Sequence, residues 1–234
     1  MKLHSIHAGN FKLDGGAMFG VVPKSIWNRL NPVDENNMCS WAMRCLLIDT
    51  GDRKILIDSG MGNKQNEKFF SHYYLHGNKN LSDSLKEVGY TYEDITDHLL
   101  SHLHFDHCGG SIRKDEQGNL VPTFKNAIYH VGEEQWDSAV LPNAREKASF
   151  LKENILPMEE SGRLNKIQSS DYDKEWLPSI EFDVVFGHTT GMLIPKIKVE
   201  GKTLVFCADL LPSISHFKTP YVMGYDIRPL ETMK

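Results

Sequence analysis

Apolar residues fall in short runs that read as strands, broken by turn residues and by a few stretches with helical spacing. The runs at 43–48 and 54–57, joined by Thr50-Gly51-Asp52, predict a β-hairpin ending at Asp58-Ser59-Gly60. Leu81, Leu85 and Val88 sit at helical spacing ahead of Gly89, a natural C-terminal stop. Residues 95–100 predict a strand that runs directly into SHLHFDHCGG. Residues 127–131 predict another strand, a helix is expected to begin at 132–139, and 144–155 suits a longer helix that Pro157 terminates. A strand at 182–186 leads into Gly187-His188. A second hairpin, 193–199 and 203–207 around Glu200-Gly201-Lys202, leads into Ala208-Asp209. Before all of these, a short opening strand gives way to residues 11–40, rich in Gly and Pro and carrying exposed-looking Phe19, Ile26 and Trp27, which read as a functional loop. Hairpins interleaved with helices predict packed sheets flanked by helices. No repeat or linker divides the chain, so one domain over 1–234 is expected.

Composition narrows the function classes. At 234 residues and 40% hydrophobic content the chain can bury a sizeable core. A net charge of -5 without a dense Lys/Arg run argues against a nucleic-acid partner. No apolar stretch approaches the roughly 20 residues of a membrane helix, and MKLHSIHAGN lacks the apolar core of a signal peptide, so the expected location is the cytoplasm, away from the membrane. The cysteines Cys39, Cys45, Cys108 and Cys207 show no CxxC spacing, which indicates neither a zinc ribbon nor a disulfide framework. Histidine is the unusual residue, with 11 copies.

Four of the candidate ligands sit in one cluster. His102, His104, Asp106 and His107 form an HxHxDH pattern at a strand end, and a single sharp loop can thereby offer a metal several nitrogen and oxygen donors. His188 in GHTTG and Asp209 in CADLLP each follow a predicted strand. Alone, a histidine there reads as a satisfied side chain and an aspartate as a turn cap; the cluster raises both to candidate ligands. His4, His7, His72 and His76 lack ligand spacing, while His98 and His130 fall inside predicted strands, so packing or surface roles are expected for all six.

HLHFDH, GHTTG about eighty residues later and an aspartate ending a strand together resemble the metallo-β-lactamase superfamily over nearly the whole chain. The Gly-rich FKLDGGAMFG and the DLLPS stretch most resemble its N-acyl homoserine lactonase and methyl-parathion-hydrolase-like branch. The resemblance implies an α/β fold, a four-layer αββα sandwich of two mixed sheets flanked by helices. It implies that His102, His104 and His188 bind one metal, that Asp106 and His107 bind a second, and that Asp209 bridges them. Asp58, ending IDSG, would orient a ligand. The expected cofactor is Zn²⁺, one or two per chain, with iron or manganese able to take the same ligands.

The pattern departs from that family in two places. Relatives supply a further histidine some forty residues after the bridging aspartate, whereas only His216 follows Asp209 here, which leaves it as a replacement ligand or a residue on the substrate side, and leaves the C-terminal strand and helix of the fold in question. Met192 stands where many relatives carry a second histidine after GHTxG, and a thioether cannot do acid or base work. The expected reaction is attack of a hydroxide held between two metals on a small-molecule ester, lactone or phosphotriester, with Asp106 as the catalytic carboxylate. Met18, Phe19, Val21, Ile26 and Trp27 are candidates to line an apolar substrate pocket, and an exposed apolar loop would permit a homodimer. The alternatives are a glyoxalase II-like thioesterase or phosphodiesterase of the same fold and, outside enzymes, a degenerate metal-binding protein.

Overall fold

The computed structural model describes residues 1–172 and 174–234. Two long strands open the chain: β1 (Lys2–Asp14) and β2 (Met38–Asp49), separated by the short helices α1 (Gly15–Phe19) and α2 (Lys24–Trp27). Then follow β3 (Lys54–Ile57), α3 (Glu67–Ser71), α4 (Leu81–Glu87), β4 (Asp97–Leu99) and a single helical turn, α5 (Phe105–Cys108). A small ribbon, β5 (Ile112–Lys114) and β6 (Leu120–Pro122), precedes β7 (Ile128–Gly132), α6 (Glu133–Val140), α7 (Lys152–Glu160) and β8 (Leu164–Ile167). The last third holds β9 (Ile180–Val185), β10 (Met192–Val199), β11 (Lys202–Val205) and α8 (Pro229–Thr232).

A six-stranded sheet runs β1-β2-β3-β4-β7-β8, antiparallel across its first three strands and parallel from β3 onward. A three-stranded sheet, β11-β10-β9, is antiparallel throughout. The run Cys45-Leu46-Leu47-Ile48 in β2 is apolar at every position because both faces of the large sheet are covered. Cys45 and Leu47 pack outward with Leu81, Leu85, Trp136 and Ile155 of the helical layer. Leu46 and Ile48 pack inward with Ile180, Phe182, Leu193 and Ile197 of the small sheet. A third cluster gathers Phe11, Met18, Phe19, Trp27, Trp41 and Met43 at one end of the sandwich.

Two expectations need correction here. Residues 11–40 are not one open loop: β1 extends to Asp14, α1 and α2 follow, and Phe19 and Trp27 are 0% and 1% exposed, stacked on each other with ring centroids 5.0 Å apart. Their burial against Trp41 and Tyr221 outweighs the Gly and Pro content that suggested a loop. The helix expected over 144–155 begins only at Lys152, and Pro157 lies inside it instead of ending it. Pro157 is the sixth of the nine residues of α7, and its ring is buried. The preceding 142–150 segment is irregular and lies along a cavity.

Candidate metal centre

The histidine loop leaves the sheet at the carboxyl end of β4, and Asp58 leaves it at the carboxyl end of the neighbouring β3, the edge at which parallel strands place their sites. Asp58 takes a left-handed backbone (φ 58°), which turns its side chain out of the strand's direction. Its backbone N–H donates to Leu99 O at 3.0 Å, and Ser59 N–H donates to His107 O at 2.8 Å, so the two loops are stitched together. The glycines that end HCGG make this closeness possible. A Cβ on Gly109 would lie 2.2 Å from Met61 O, and one on Gly110 would lie 2.3 Å from Ser59 O.

Each histidine of the cluster has one ring nitrogen anchored and the other turned inward. Asp58 accepts from Ser101 N (2.9 Å), from the Ser101 hydroxyl (2.7 Å) and from His107 Nδ1 (2.8 Å). With its hydroxyl hydrogen committed to Asp58, Ser101 Oγ accepts from His102 Nδ1 at 3.1 Å. His102 Nε2 is left buried with no hydrogen-bond partner. Glu146 faces His104 Nε2 at 3.4 Å, and Asp226 accepts from His188 Nδ1 at 2.9 Å. The remaining nitrogens, His104 Nδ1 and His188 Nε2, lie 3.0 Å apart. Donor atoms of His102, His104 and His188 lie within 4.8 Å of one another, and those of His102, His107 and Asp209 do the same. His107 Nε2 is 3.2 Å from Asp209 and 3.7 Å from Asp106, and His188 Nε2 is 3.3 Å from Asp209.

The electrostatics call for a cation in this space. Burial pushes His102 well below the ordinary imidazole pKa, and it lowers that of His104. Burial also opposes charge on His107, yet Asp209 and Asp106 outweigh it and hold that ring protonated well above the usual range. His188 is raised for the same reason, burial being overcome by Asp209 and Asp226. Burial opposes the charge on Asp209 too, but His107 and His188 hold its carboxyl well below the usual range, whereas burial raises Asp106. His188 Nε2 and His104 Nδ1 thus share a hydrogen bond, and the raised proton affinity of His107 faces Asp209. Divalent ions fit the same donor set and would displace the protons held there, while the orphaned His102 Nε2 would gain a partner.

This cluster lies in the wall of a cavity of about 1120 Å³ whose lining includes Met18, Trp41, Phe105, Arg145, Leu211 and Tyr225. Among the described residues, no helix is long and apolar enough to cross a membrane.

Residues 44–233 match the model of the metallo-beta-lactamase superfamily. The chain belongs to the metallo-β-lactamase superfamily. Among curated relatives, an N-acyl homoserine lactonase of Bacillus cereus is 29% identical over 215 residues, covering 87% of this chain and 73% of that protein. One from a Bacillus species is 30% identical over 201 residues, 81% of this chain and 67% of its own. A solved structure described as a probable metal-dependent hydrolase from Staphylococcus aureus superposes with a TM-score of 0.89 at 31% identity, covering 99% of this chain and 81% of that one. AidC, a dizinc quorum-quenching lactonase solved with a product, N-hexanoyl-L-homoserine, shares the fold at a TM-score of 0.74 and 22% identity, over 100% of this chain and 82% of its own. By family, fold and relatives, this chain is a metallo-β-lactamase-fold hydrolase with a divalent-metal centre.

Against the expected residue set, the structure brings together His102, His104, Asp106, His107, His188 and Asp209, with Asp58 behind His107. His216 does not join them. Its Nε2 donates to Met18 O at 2.9 Å and its Nδ1 accepts from Ser213 Oγ at 2.8 Å, so neither nitrogen is free to ligate. Phe19 is a packing residue, stacked on His216 with centroids 4.7 Å apart, and of the five apolar candidates for the pocket only Met18 lines the cavity. Val21 and Ile26 are exposed, and Met192 is buried at the start of β10. Sequence reasoning missed Glu146 and Asp226, which lie in irregular segments and have no motif of their own; only an acidic residue near a turn marked them.

Proposed function

We infer that this metal-dependent hydrolase opens a lactone ring, with N-acyl homoserine lactones as the leading substrate class, and that its centre takes two zinc ions. One observation carries the reading: four imidazole nitrogens and two carboxylates converge in the wall of a cavity of about 1120 Å³, large enough for a ring bearing an acyl tail. The lactonases among its relatives support the substrate class. In this reading His102, His104 and His188 would hold one ion, Asp106 and His107 would hold the other, and Asp209 would serve both. Ions bound there supply water activation and polarisation of the substrate carbonyl.

The chain's own groups supply the rest. Asp106, whose burial raises its affinity for a proton, takes one from the attacking water. It returns that proton to the ring oxygen as the carbon–oxygen bond breaks, so that water and lactone give one hydroxy acid. Asp58, Ser101 and Glu146 keep the histidine rings from turning, which holds the donor atoms in place while charge develops. Met18, Trp41, Phe105 and Leu211 present an apolar wall to the acyl tail. The test is hydrolysis by zinc-loaded protein of a matched N-acyl homoserine lactone, a glutathione thioester and a phosphodiester. Fastest turnover of the lactone is expected. Preference for the thioester or the diester would overturn the substrate assignment, and no turnover of any would favour a binding protein that has lost catalysis.

A further inference from the structure

We propose that Asp226 is a positioning residue for the metal centre, fixing the tautomer and orientation of His188 from the segment that follows the bridging aspartate. The proposal rests on the reading of His188 as a metal ligand, and not on which substrate is cleaved. Asp226 is 2% exposed, and both of its oxygens are engaged: Oδ1 accepts from His188 Nδ1 at 2.9 Å and Oδ2 from Thr232 Oγ1 at 2.6 Å. Its ion-pair partner among the described residues is His188, with no lysine or arginine beside it. Burying a carboxylate is costly unless it is paired, and an amide could satisfy Thr232 equally well. A carboxylate at this position therefore finds its purpose in the imidazole it faces. Donation from Nδ1 leaves Nε2 as the donor atom, and Nε2 is the nitrogen that faces His104 and Asp209.

The surrounding chain holds this contact in register. Ile227 N–H donates to His188 O at 3.3 Å and Arg228 N–H to Gly187 O at 2.8 Å. The Arg228 guanidinium donates to Phe186 O at 2.9 Å and to Thr190 Oγ1 at 3.2 Å. Thr232 packs so closely on Gly187 that a Cβ there would lie 2.1 Å from its hydroxyl, which accounts for the glycine before His188. Residues 226–232 thus clamp the His188 turn from behind, and Tyr225, the residue before Asp226, lines the cavity. One short segment therefore shapes the substrate wall and aims a ligand.

The test is affinity for metal alone, by competition of the full chain with a chromogenic chelator for Zn²⁺, together with the visible spectrum of the Co²⁺-loaded protein. Asp226→Ala should weaken zinc binding at the site that includes His188 by roughly 10–100-fold and shift the cobalt bands. Asp226→Asn keeps an acceptor for Nδ1–H but removes the charge, and should recover part of that loss. Parental affinity and an unchanged spectrum in Asp226→Ala would overturn the proposal. Should the alanine variant fail to fold, Asp226→Asn decides: it must still bind zinc more weakly than the parent, and parental affinity and spectrum would overturn the proposal. Neither readout involves a lactone, so a wrong substrate assignment leaves the result intact.

Discussion

Two groups of buried histidines divide the molecule, and their hydrogen bonds separate them. In the sheet, His98 Nδ1 donates to Leu56 O at 3.0 Å while Nε2 accepts from Ser111 Oγ at 2.8 Å. His130 Nε2 donates to Asp97 at 2.9 Å and Nδ1 accepts from Asn165 at 3.0 Å, with Arg53 completing the carboxylate's shell. Both rings are saturated by the protein. Beyond the carboxyl ends of β4 and of β9 in the other sheet, His102, His104, His107 and His188 each have one nitrogen anchored and one aimed into a shared space. Residue type and burial alone do not distinguish the two groups. A ligand histidine is one the protein has left half-satisfied, with the other half fixed by a carboxylate or hydroxyl.

The sharpest way to break this comparison is to remove one ring from each group. His104→Ala should lose stoichiometric metal and, at several kcal/mol of lost transition-state stabilisation, roughly a thousandfold of kcat/KM, measured on metal-loaded protein. Retained metal and activity would place His104 with the structural histidines. His98 should behave in the opposite way. Burial lowers its pKa to about 4, so the folded chain keeps it neutral while the unfolded chain protonates near 6.5. Between those values the unfolded state binds more protons, and stability therefore falls as pH drops through the window, by about 3 kcal/mol in all. Urea unfolding of metal-free parent and His98→Gln at pH 7.5 and 5 should show the parent losing more stability on acidification, and zinc-loaded samples of the two should hold equal metal at neutral pH. Equal pH slopes would deny His98 that role. The smallest effect is expected at His216→Ala, which should cost about 1–2 kcal/mol through its two lost hydrogen bonds and its stacking on Phe19. Its zinc stoichiometry should match the parent, and a lost ion would restore His216 as a ligand.

How much of this was legible beforehand varied with the range of the interaction involved. The β2–β3 hairpin, the α4 helix with its Gly89 stop and the strands ahead of HLHFDH, GHTTG and CADLL follow local period and turn chemistry, and all are present. The segment 11–40 misled because Gly15, Gly16 and Gly20 suggest a loop, while the burial of Phe19 and Trp27 depends on Trp41 and Tyr221, distant in sequence. Pro157 misled because a proline ordinarily ends a helix, whereas α7 begins only at Lys152 and runs through it to Glu160. Within the site, HxHxDH exposed its ligands through spacing. Glu146 and Asp226 meet their histidines 42 and 38 residues away along the chain, and no local pattern records such a meeting. His216 was the converse: a histidine in a suggestive place whose two partners, Ser213 and Met18 O, only the fold reveals.

The central claim is that the inward-facing nitrogens mark a two-metal centre, and titration of metal-free protein with Zn²⁺, read by elemental mass spectrometry after removal of free ions, tests it most directly. Two ions per chain at saturation is the predicted result, with His102, His104 and His188 on one and Asp106 and His107 on the other. Saturation at one ion, or none, would contradict it.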